Sequence, residues 1–325
     1  MLQGTRRFFV LLSLLAVAGP AASAPAAPPP DGEEGPYRVE TLADGIHLFR
    51  PADPAGGLSN SLVVEREDGL LVVDAQPTPE AARKLLERIA LRFARPIRFL
   101  VLTHPHADAA GGASAFPPST LVVASGGYRD AVADDSYDFG AEARVRTDSG
   151  AKFDAPPRAA PTLVSWTPLR LEDRRHGIDV LPVAKLPAHS AGDLVVWIPD
   201  ARVLAVGDLV WSSPNAYTGS GNVSNWIVAL NAMLELKPAR VVPLRGPAAD
   251  AQPARLLREG FAWIRGQVEQ AFVDAVPSGR IADHVLESPQ SAKFLDLDAS
   301  PSWVRGMIES VIAETIEYRR KRGID

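Results

Sequence analysis

Two histidines and one carboxylate stand close together in the segment Thr103 to Gly112, at His104, His106 and Asp108. They directly follow the apolar run Ile97 to Leu102, which is typical of a buried strand. Side chains on a loop at a strand end can converge on one point. Imidazole nitrogens and carboxylate oxygens are ligands of zinc and similar borderline ions. The segment therefore predicts a metal-binding loop.

Two further candidate ligands lie downstream of this loop. His189 is part of the segment Pro187 to Asp193, and Asp208 ends the strand-like run Val203 to Gly207. The chain has no cysteine, so it has no disulfide, no thiol nucleophile and no thiolate ligand. Every protein ligand must therefore offer nitrogen or oxygen, and the sequence supplies three imidazoles and two carboxylates for this purpose.

The order of these motifs resembles the metallo-β-lactamase superfamily. The signature of that family is His-X-His-X-Asp-His, then a distant histidine before a Gly-Asp pair, a bridging aspartate, and a final histidine in a Pro-Gly-His-Gly turn. This chain departs at two positions, since Ala109 takes the place of the fourth motif residue and Arg245 that of the last histidine. The resemblance covers about Tyr37 to Pro247 and implies an α/β fold, the four-layer αββα sandwich.

The resemblance also implies how a metal is held. The first metal site of the family is intact, at His104, His106 and His189. The second keeps only Asp108 and Asp208, because alanine has no donor atom and the guanidinium of Arg245 stays protonated. We therefore expect one tightly bound Zn²⁺, with Fe²⁺ as the alternative. We also expect Arg245 either to face the two carboxylates in place of a second ion or to turn to solvent.

The chemistry that follows is hydrolysis. A zinc ion with an open position lowers the pKa of its bound water to about 7, which gives hydroxide at neutral pH. The metal-bound hydroxide would attack the carbonyl of an ester, lactone, thioester or amide. Asp108 would orient the water and Arg245 would stabilise the anion that forms, so both are candidate catalytic residues.

Two other functions stay open at this point. Relatives that are persulfide dioxygenases bind one iron through two histidines and the bridging aspartate, and His104, His189 and Asp208 would meet that requirement. Loss of the second site could instead mark a non-catalytic periplasmic binding protein, for instance a partner of a redox enzyme. The segment Gly221 to Trp226 also makes the chain similar to zinc hydrolases linked to quinoprotein systems.

The N-terminus predicts export. Arg6 and Arg7 precede the apolar run Phe8 to Ala18, and Ala22-Ser23-Ala24 offers a cleavage site. Residues 1–24 therefore read as a signal peptide and not as a membrane span, of either the twin-arginine or the ordinary secretory type. We expect a periplasmic or secreted protein with no integral membrane segment in the mature chain. Residues 25–36 are rich in Ala and Pro and predict a linker.

Charge and composition limit the classes of binding partner that can be expected. The chain has 325 residues, 34 Lys and Arg against 39 Asp and Glu, and a net charge of −5. It offers no basic stripe, so a small-molecule substrate is expected and nucleic acid is not. Its 46% of hydrophobic residues is ordinary for a globular protein.

Hydrophobic periodicity predicts the elements that position the candidate ligands. The first half has strands at 46–50, 61–66, 70–74 and 97–102, with a helix that Thr78 caps and Pro79 begins. The second half has strands at 194–198, 203–206 and 240–242 and a helix at 225–236. Residues 131–161 read as an insertion or long loop near the site. We expect a metallo-β-lactamase-like domain at 37–247 and a helical extension at 248–325 that packs on the core, with helices at 254–273 and 302–320.

The remaining histidines and several aromatic residues allow two interpretations. His47, His176 and His284 lack a ligand-like context and are expected to be structural or solvated. A second group follows Asp208 and either lines the substrate cleft or packs in the core: Trp211, Tyr217, Asn222 and Trp226.

Overall fold

The computed structural model describes residues 32–53, 57–134, 159–183, 187–211, 215–298 and 301–324. These residues form two β-sheets packed face to face, with helices on both outer sides. The αββα sandwich predicted from the sequence is confirmed. The predicted signal peptide at 1–24 and the linker as far as residue 31 lie outside the described residues.

The first sheet has eight strands in chain order. They are β1 (Gly32–Glu34), β2 (Tyr37–Ala43), β3 (Ile46–Pro51), β4 (Ser61–Arg66), β5 (Gly69–Val73), β6 (Ile97–Val101), β7 (Leu121–Ser125) and β8 (Leu163–Ser165). Neighbours are antiparallel from β1 to β5 and parallel from β5 to β8. The helices of this half are α1 (Pro79–Arg92), the single turn α2 (Ala107–Ala110) and α3 (Gly126–Ala133), with a 3₁₀ turn at Ala113–Ala115.

The second sheet has five strands in the order β13-β12-β11-β10-β9. They are β9 (Leu169–Leu171), β10 (Ile178–Pro182), β11 (Leu194–Ile198), β12 (Val203–Gly207) and β13 (Arg240–Pro243). Helix α4 (Val223–Glu235) connects β12 to its parallel neighbour β13. The ends of β6, β12 and β13 therefore deliver the three segments that carry candidate site residues.

The central strands β5, β11 and β12 are buried on both faces, and β11 shows why. Leu194, Val196 and Ile198 belong to the hydrophobic cluster between the two sheets. The alternate residues Val195 and Trp197 belong to the cluster between the second sheet and the helices. Because successive side chains of a strand point to opposite faces, a continuous apolar run fits a layer covered on both sides.

Four helices follow the second sheet. They are α5 (Gln252–Val273), α6 (Ser278–Leu286), α7 (Ser291–Phe294) and α8 (Pro301–Arg322). Their apolar faces join the cluster that also holds Trp226 of α4 and Leu204 of β12. The hydrophobic core of the second half is thus shared between the sheet and the C-terminal helices. No helix in the described part of the chain has the length and apolar character needed to span a membrane.

The element predictions succeed where the local signal is strong. Thr78 caps α1 as expected, since its side chain accepts a hydrogen bond from the amide of Ala81. Two predictions need correction. Gly32–Glu34, inside the predicted linker, pair with β2 as an edge strand. Helix α3 extends to Ala133, into the segment read as a loop, whereas residues 135–158 of that segment lie outside the described residues.

Candidate metal centre

The candidate ligands meet at one edge of the sandwich because the elements that carry them end there. Strand β6 leads into His104 and His106, and α2 begins directly afterwards with Asp108 in its first turn. Asp208 follows the last residue of β12, and Arg245 follows β13 by two residues. His189 lies in the loop before β11. The structure thus brings together all six residues singled out from the sequence.

The three predicted imidazoles converge. One nitrogen each of His104, His106 and His189 lies within 4.8 Å of the others, and all three residues are buried. Ring centroids are 4.9–5.1 Å apart and the ring planes are close to perpendicular. His106 Nδ1 and His189 Nε2 are separated by 3.1 Å. Two nitrogens bound tetrahedrally to one zinc ion would be about 3.3 Å apart, so the arrangement fits a three-histidine site.

The carboxylates of Asp108 and Asp208 lie beside His104, and one oxygen of each could bind a metal ion together with this histidine. Nε2 of His104 is 3.7 Å from Asp108 Oδ1 and 4.0 Å from Asp208 Oδ2. Both carboxylates are buried. Since burial of an isolated anion is costly, each requires a cation or hydrogen-bond donors nearby.

Arg245 points into the site and contacts Asp108. Its Nη2 donates to Asp108 Oδ2 at 3.0 Å, and its Nη1 donates to the carbonyl of Leu58 at 3.2 Å. The arginine side chain is 23% exposed whereas that of Asp108 is 1% exposed. The guanidinium therefore supplies a positive charge to a carboxylate that is withdrawn from water.

A hydrogen-bonded relay from Asp74 through Thr103 contacts the Nδ1 side of His104, opposite Nε2. Thr103 Oγ1 lies 3.0 Å from His104 Nδ1, and it donates to the carboxylate of Asp74, with oxygens at 2.9 and 3.0 Å. A hydroxyl has one proton, so when it donates to Asp74 it must accept from Nδ1–H of the imidazole. That tautomer leaves the lone pair of Nε2 facing the site, as a metal ligand requires.

Burial shifts the pKa of both ends of this relay. It lowers the pKa of His104, because the low-polarity surroundings disfavour the charged imidazolium more than Asp108 favours it. Burial raises the pKa of Asp74 to about 7, against the opposing effect of its hydrogen bonds from Thr103. The neutral form of His104, which is the form that binds metals, is therefore favoured.

The loop around His189 is fixed by its own hydrogen bonds. Asp193 accepts from the amide of Ser190 at 2.9 Å and from its hydroxyl at 2.6 Å. On the other side the ring of Trp226 packs against His189, with centroids 5.1 Å apart. These contacts explain the motif Ala-His-Ser-Ala-Gly-Asp physically, since Asp193 orients the turn from which the imidazole projects.

Several supporting residues were not identified from the sequence. Asp74 and Gln76 have left-handed backbone conformations, with φ of 66° and 74°, which hydrogen bonds maintain against steric cost. Gln76 exchanges hydrogen bonds with the backbone of Ser59. Asn60 Nδ2 donates to the carbonyls of Pro243 and Gly246, which ties β4 to the turn that carries Arg245. The one available signal was that Asp74 ends a buried strand.

The donor set suits a divalent cation. Within the described residues, the buried Nε2 of His104 has no hydrogen-bond partner, which is unusual for a buried polar atom. It faces the other two imidazoles, and the donors are nitrogen and oxygen atoms of the type that borderline metals prefer. A cation at this point would satisfy the lone pair of His104 together with those of His106 and His189.

The other residues considered from the sequence have structural surroundings. His47 is buried against Thr41 and Glu65, and His176 lies between Asp200 and the carbonyl of Asp44. His284 is exposed at the end of α6. The four residues that follow Asp208 have different surroundings. Trp211 and Trp226 are buried in the hydrophobic cluster, Tyr217 is half-buried, and Asn222 caps α4.

Comparison with known proteins agrees with this geometry. The sequence profile of the metallo-beta-lactamase superfamily matches residues 54–244, more than half of the chain. The chain is 25% identical over 178 residues to 2,4-dinitroanisole O-demethylase subunit alpha of Nocardioides sp. (strain JS1661), a match that covers 54% of this chain and 45% of that protein. It is 24% identical over 180 residues to metallo-beta-lactamase type 2 of Bacillus sp. (strain 170), with 54% and 62% covered. The chain thus matches about half to two thirds of the length of these relatives.

Two solved structures share the fold. A metallo-beta-lactamase from Pontibacter korlensis has a TM-score of 0.57 at 21% identity, over 69% of this chain and 99% of that one. The stereoselective inverting sec-alkylsulfatase Pisa1 from Pseudomonas sp. has a TM-score of 0.68 at 17% identity, over 86% of this chain and 50% of that one. A likeness at this level of identity concerns the arrangement of strands and helices.

Proposed function

Because the chain belongs to the metallo-beta-lactamase superfamily, we propose that it is a metal-dependent hydrolase with one Zn²⁺ ion held by His104, His106 and His189. The observation that carries this proposal is the convergence of three buried imidazoles on one point. The ion pair between Arg245 and Asp108 supports a single metal. A second cation near Asp108 would meet the positive guanidinium and would lack the two imidazoles that Ala109 and Arg245 replace.

The residues at the site have separate roles in this proposal. A bound divalent ion would supply a Lewis acid and lower the pKa of bound water to about 7. Asp108 Oδ1 lies on the side of the imidazole cluster, where it can accept a hydrogen bond from the attacking water and orient it. Arg245 holds Asp108 in place and offers donors to the oxyanion that forms when the substrate carbonyl is attacked.

Metal content is the first test. Protein purified from its native compartment should contain one equivalent of zinc by elemental analysis, and titration of metal-free protein by calorimetry should show one tight site. Iron in place of zinc would favour the alternative of an oxidoreductase similar to persulfide dioxygenases. Two tightly bound ions would overturn the proposal that Ala109 and Arg245 abolish the second site.

A double substitution tests the same point in the opposite direction. Ala109→His with Arg245→His restores both missing imidazoles beside Asp108 and Asp208. Two imidazoles and two carboxylates form a good site for a borderline divalent ion. We expect the variant to bind two equivalents of zinc where the wild type binds one. One equivalent in both proteins would show that the missing ligands alone do not explain the lost site.

Substrate class needs a hydrolysis screen with metal-free protein as the control. The panel should include a carboxylic ester, a lactone, a thioester and an amide. The names of the relatives widen it, since they include 2,4-dinitroanisole O-demethylase subunit alpha, metallo-beta-lactamases and the linear primary-alkylsulfatase of Pseudomonas sp. (strain ATCC 19151). A lactam, an alkyl sulfate and 2,4-dinitroanisole are therefore added. No zinc-dependent turnover of any compound would favour a non-catalytic periplasmic binding protein, such as a redox partner.

Export is also part of the proposal. The twin arginines Arg6 and Arg7, the apolar run after them and the small residues Ala22 to Ala24 have the order of a signal peptide. We expect a mature periplasmic or secreted chain that begins shortly after Ala24. Mass spectrometry of the native protein measures this directly, and an intact N-terminus on cytoplasmic protein would contradict it.

A further inference from the structure

The loop from Asp208 to Asn222 contacts the candidate metal centre at both of its ends. At its start, Trp211 Nε1 donates to the carbonyl of Asp208 at 2.8 Å. At its end, the amide of Asn222 donates to the carbonyl of Ala188 at 2.7 Å, next to His189. The described residues of this loop, which we call the Asp208 loop, are 208–211 and 215–222. Its described residues therefore contact the backbone of Asp208 and the neighbour of His189.

The C-terminal helices hold the middle of the Asp208 loop. Asn215 donates to the carbonyl of Asp296 at 2.6 Å and accepts from its amide at 3.2 Å. The hydroxyls of Ser310 and Thr218 are hydrogen-bonded at 2.8 Å. The amide of Ala216 approaches the sulfur of Met307 to 3.3 Å. These are direct polar contacts between a loop of the site and residues beyond the segment that matches the family.

One face of α8 makes most of these contacts. It carries Trp303, Met307, Ser310 and Glu314, which follow one another at intervals of four, three and four residues. That spacing places them on one side of a helix. Trp303 packs against Trp211 with ring centroids 5.1 Å apart, and the other three form polar contacts. A helix face that was needed only for core packing would carry apolar residues at Ser310 and Glu314.

Glu314 is the member of this face that binds the first turn of α4. Its carboxylate accepts hydrogen bonds from the amides of Val223 and Ser224 at 2.5 and 3.0 Å, and from the Ser224 hydroxyl at 2.7 Å. These amides belong to the first turn of α4, where donors lack partners within the helix and a negative charge is favourable. Asn222 caps the same turn and donates to Ala188.

We propose that Glu314 is a positioning residue of the metal centre, which sets the orientation of His189 through the first turn of α4. The chain of contacts runs from the Glu314 carboxylate to Val223 and Ser224, then through Asn222 to Ala188 beside His189. A second contact supports it, since Trp226 of α4 packs directly on the His189 ring. The inference rests on the proposed metal site and adds that the C-terminal helices are part of it.

Glu314→Gln tests the inference with little change in shape. The amide keeps one acceptor oxygen but places an NH₂ donor against an amide or hydroxyl of the first turn of α4. Glu309→Gln is the matched control, because Glu309 lies on the exposed face of the same helix. Substitution of a residue that hydrogen-bonds to a metal ligand typically weakens metal affinity 10- to 100-fold. Glu314 acts on His189 through several intermediate contacts, so we expect an effect at the lower end of this range. We expect the dissociation constant for Zn²⁺ to rise about 10-fold in Glu314→Gln and to stay unchanged in Glu309→Gln.

The visible spectrum of the Co²⁺-substituted protein provides a second measurement, since it reports ligand geometry independently of turnover. It should change in Glu314→Gln and match the wild type in Glu309→Gln. Ser224→Ala, which removes the hydroxyl that donates to the Glu314 carboxylate, takes the place of Glu314→Gln if that variant does not fold. Zinc affinities and cobalt spectra that are equal to the wild type in the folded variants would overturn the inference. A wild type that binds no zinc would instead overturn the proposed function.

Discussion

At the scale of single residues, the tautomer of His104 decides whether a metal can bind. The relay from Asp74 through Thr103 leaves the Nε2 lone pair of His104 free of a proton. Nothing in the histidine motif itself shows this, because the motif is local and Asp74 lies 30 positions earlier in the chain. The motif predicted residues that the structure brings together. Their protonation depends on a contact between two parallel strands.

Thr103→Val should weaken the metal site while retaining the shape of the side chain. Without the hydroxyl, neither the tautomer nor the orientation of His104 is held, so we expect a 10- to 100-fold, that is about 1.4 to 2.7 kcal/mol, loss of zinc affinity. Competition with a chelator of known affinity measures it. Thr120→Val is the matched control, since Thr120 is also a buried threonine next to a strand of the first sheet, but its hydroxyl donates to the carbonyl of Ile97. Equal losses in both variants would show that the effect comes from packing.

The same relay predicts how the stability of the metal-free protein depends on pH. The folded-state pKa of Asp74 is about 7, above its ordinary value of 3.8, because burial disfavours the carboxylate. The folded protein therefore binds more protons than the unfolded chain between these two values, and its stability falls as the pH rises through that window. In chelator, urea unfolding should show Asp74→Asn losing less stability than the wild type between pH 5 and pH 7, by about 2 kcal/mol. Parallel pH profiles for the two proteins would contradict this.

Arg245 replaces the last histidine of the family motif, and its side chain points into the candidate site. Its guanidinium contacts a carboxylate that is 1% exposed. Removal of one partner of a buried pair costs about 3–5 kcal/mol, and the 23% exposure of the arginine lowers our expectation to about 2 kcal/mol. We expect this loss of unfolding free energy for Arg245→Ala in metal-free protein, measured with urea. Arg320→Ala, which breaks an exposed pair with Glu317, should cost far less, because solvent screens an exposed ion pair. Similar losses in the two variants would contradict a special role for Arg245.

At the scale of elements, periodicity and caps predicted strands β3 to β6, strands β11 to β13 and the long helices to within one or two residues. The other strands were missed, which are β1, β2 and β7 to β10. Strands β1, β8 and β9 have three residues each, too few for a period to appear, and they depend on pairing with neighbours that are distant in sequence. Tertiary contacts also explain why the polar residues on one face of α8 were not identified from the sequence. Its polar residue Ser310 binds Thr218 of the Asp208 loop, and Glu314 binds the first turn of α4, contacts that the sequence of the helix does not reveal.

The end of strand β12 requires glycine, because it lies close to the residues that hold His104. Gly207 has φ of +55°, and a Cβ at this position would lie 2.5 Å from Thr103 Oγ1. Gly266, within α5, has no atom within 4 Å of the corresponding point. Gly207→Ala should therefore destabilise the protein by about 1–3 kcal/mol and disturb the relay to His104. Gly266→Ala should stabilise it by about 0.5–1 kcal/mol through helix propensity. Urea unfolding of both variants measures the signs, and a stabilised Gly207→Ala would refute the steric account.

At the scale of the whole molecule, the candidate site joins the two halves of the sandwich. His104, His106 and Asp108 follow a strand of the first sheet, whereas His189, Asp208 and Arg245 belong to loops of the second. The family resemblance predicted this division, since its motifs are spread over both halves. It could not predict that residues of the C-terminal segment bind the Asp208 loop, because these residues lie outside the matched segment 54–244.

A ligand that bridges both halves should stabilise the fold as a whole. A metal that binds only the folded state adds about 2.7 kcal/mol when its free concentration is 100 times the dissociation constant. For a chain of this size, that corresponds to a rise in Tm of about 4 °C. We expect this rise when Zn²⁺ is added to metal-free wild type in a thermal unfolding experiment, and its reversal by chelator.

Two comparisons make this expectation specific to the three-histidine site. His189→Ala should lose the rise in Tm, because it removes the ligand contributed by the second half, whereas His284→Ala should keep it, since His284 is exposed on α6 and distant in sequence from every candidate ligand. Mg²⁺ prefers an octahedral shell of oxygen ligands and should give no rise at the same concentration. If His189→Ala were stabilised by zinc as strongly as the wild type, the ion would be bound elsewhere. The two halves of the sandwich would then be held together without it, by the hydrophobic cluster between the sheets.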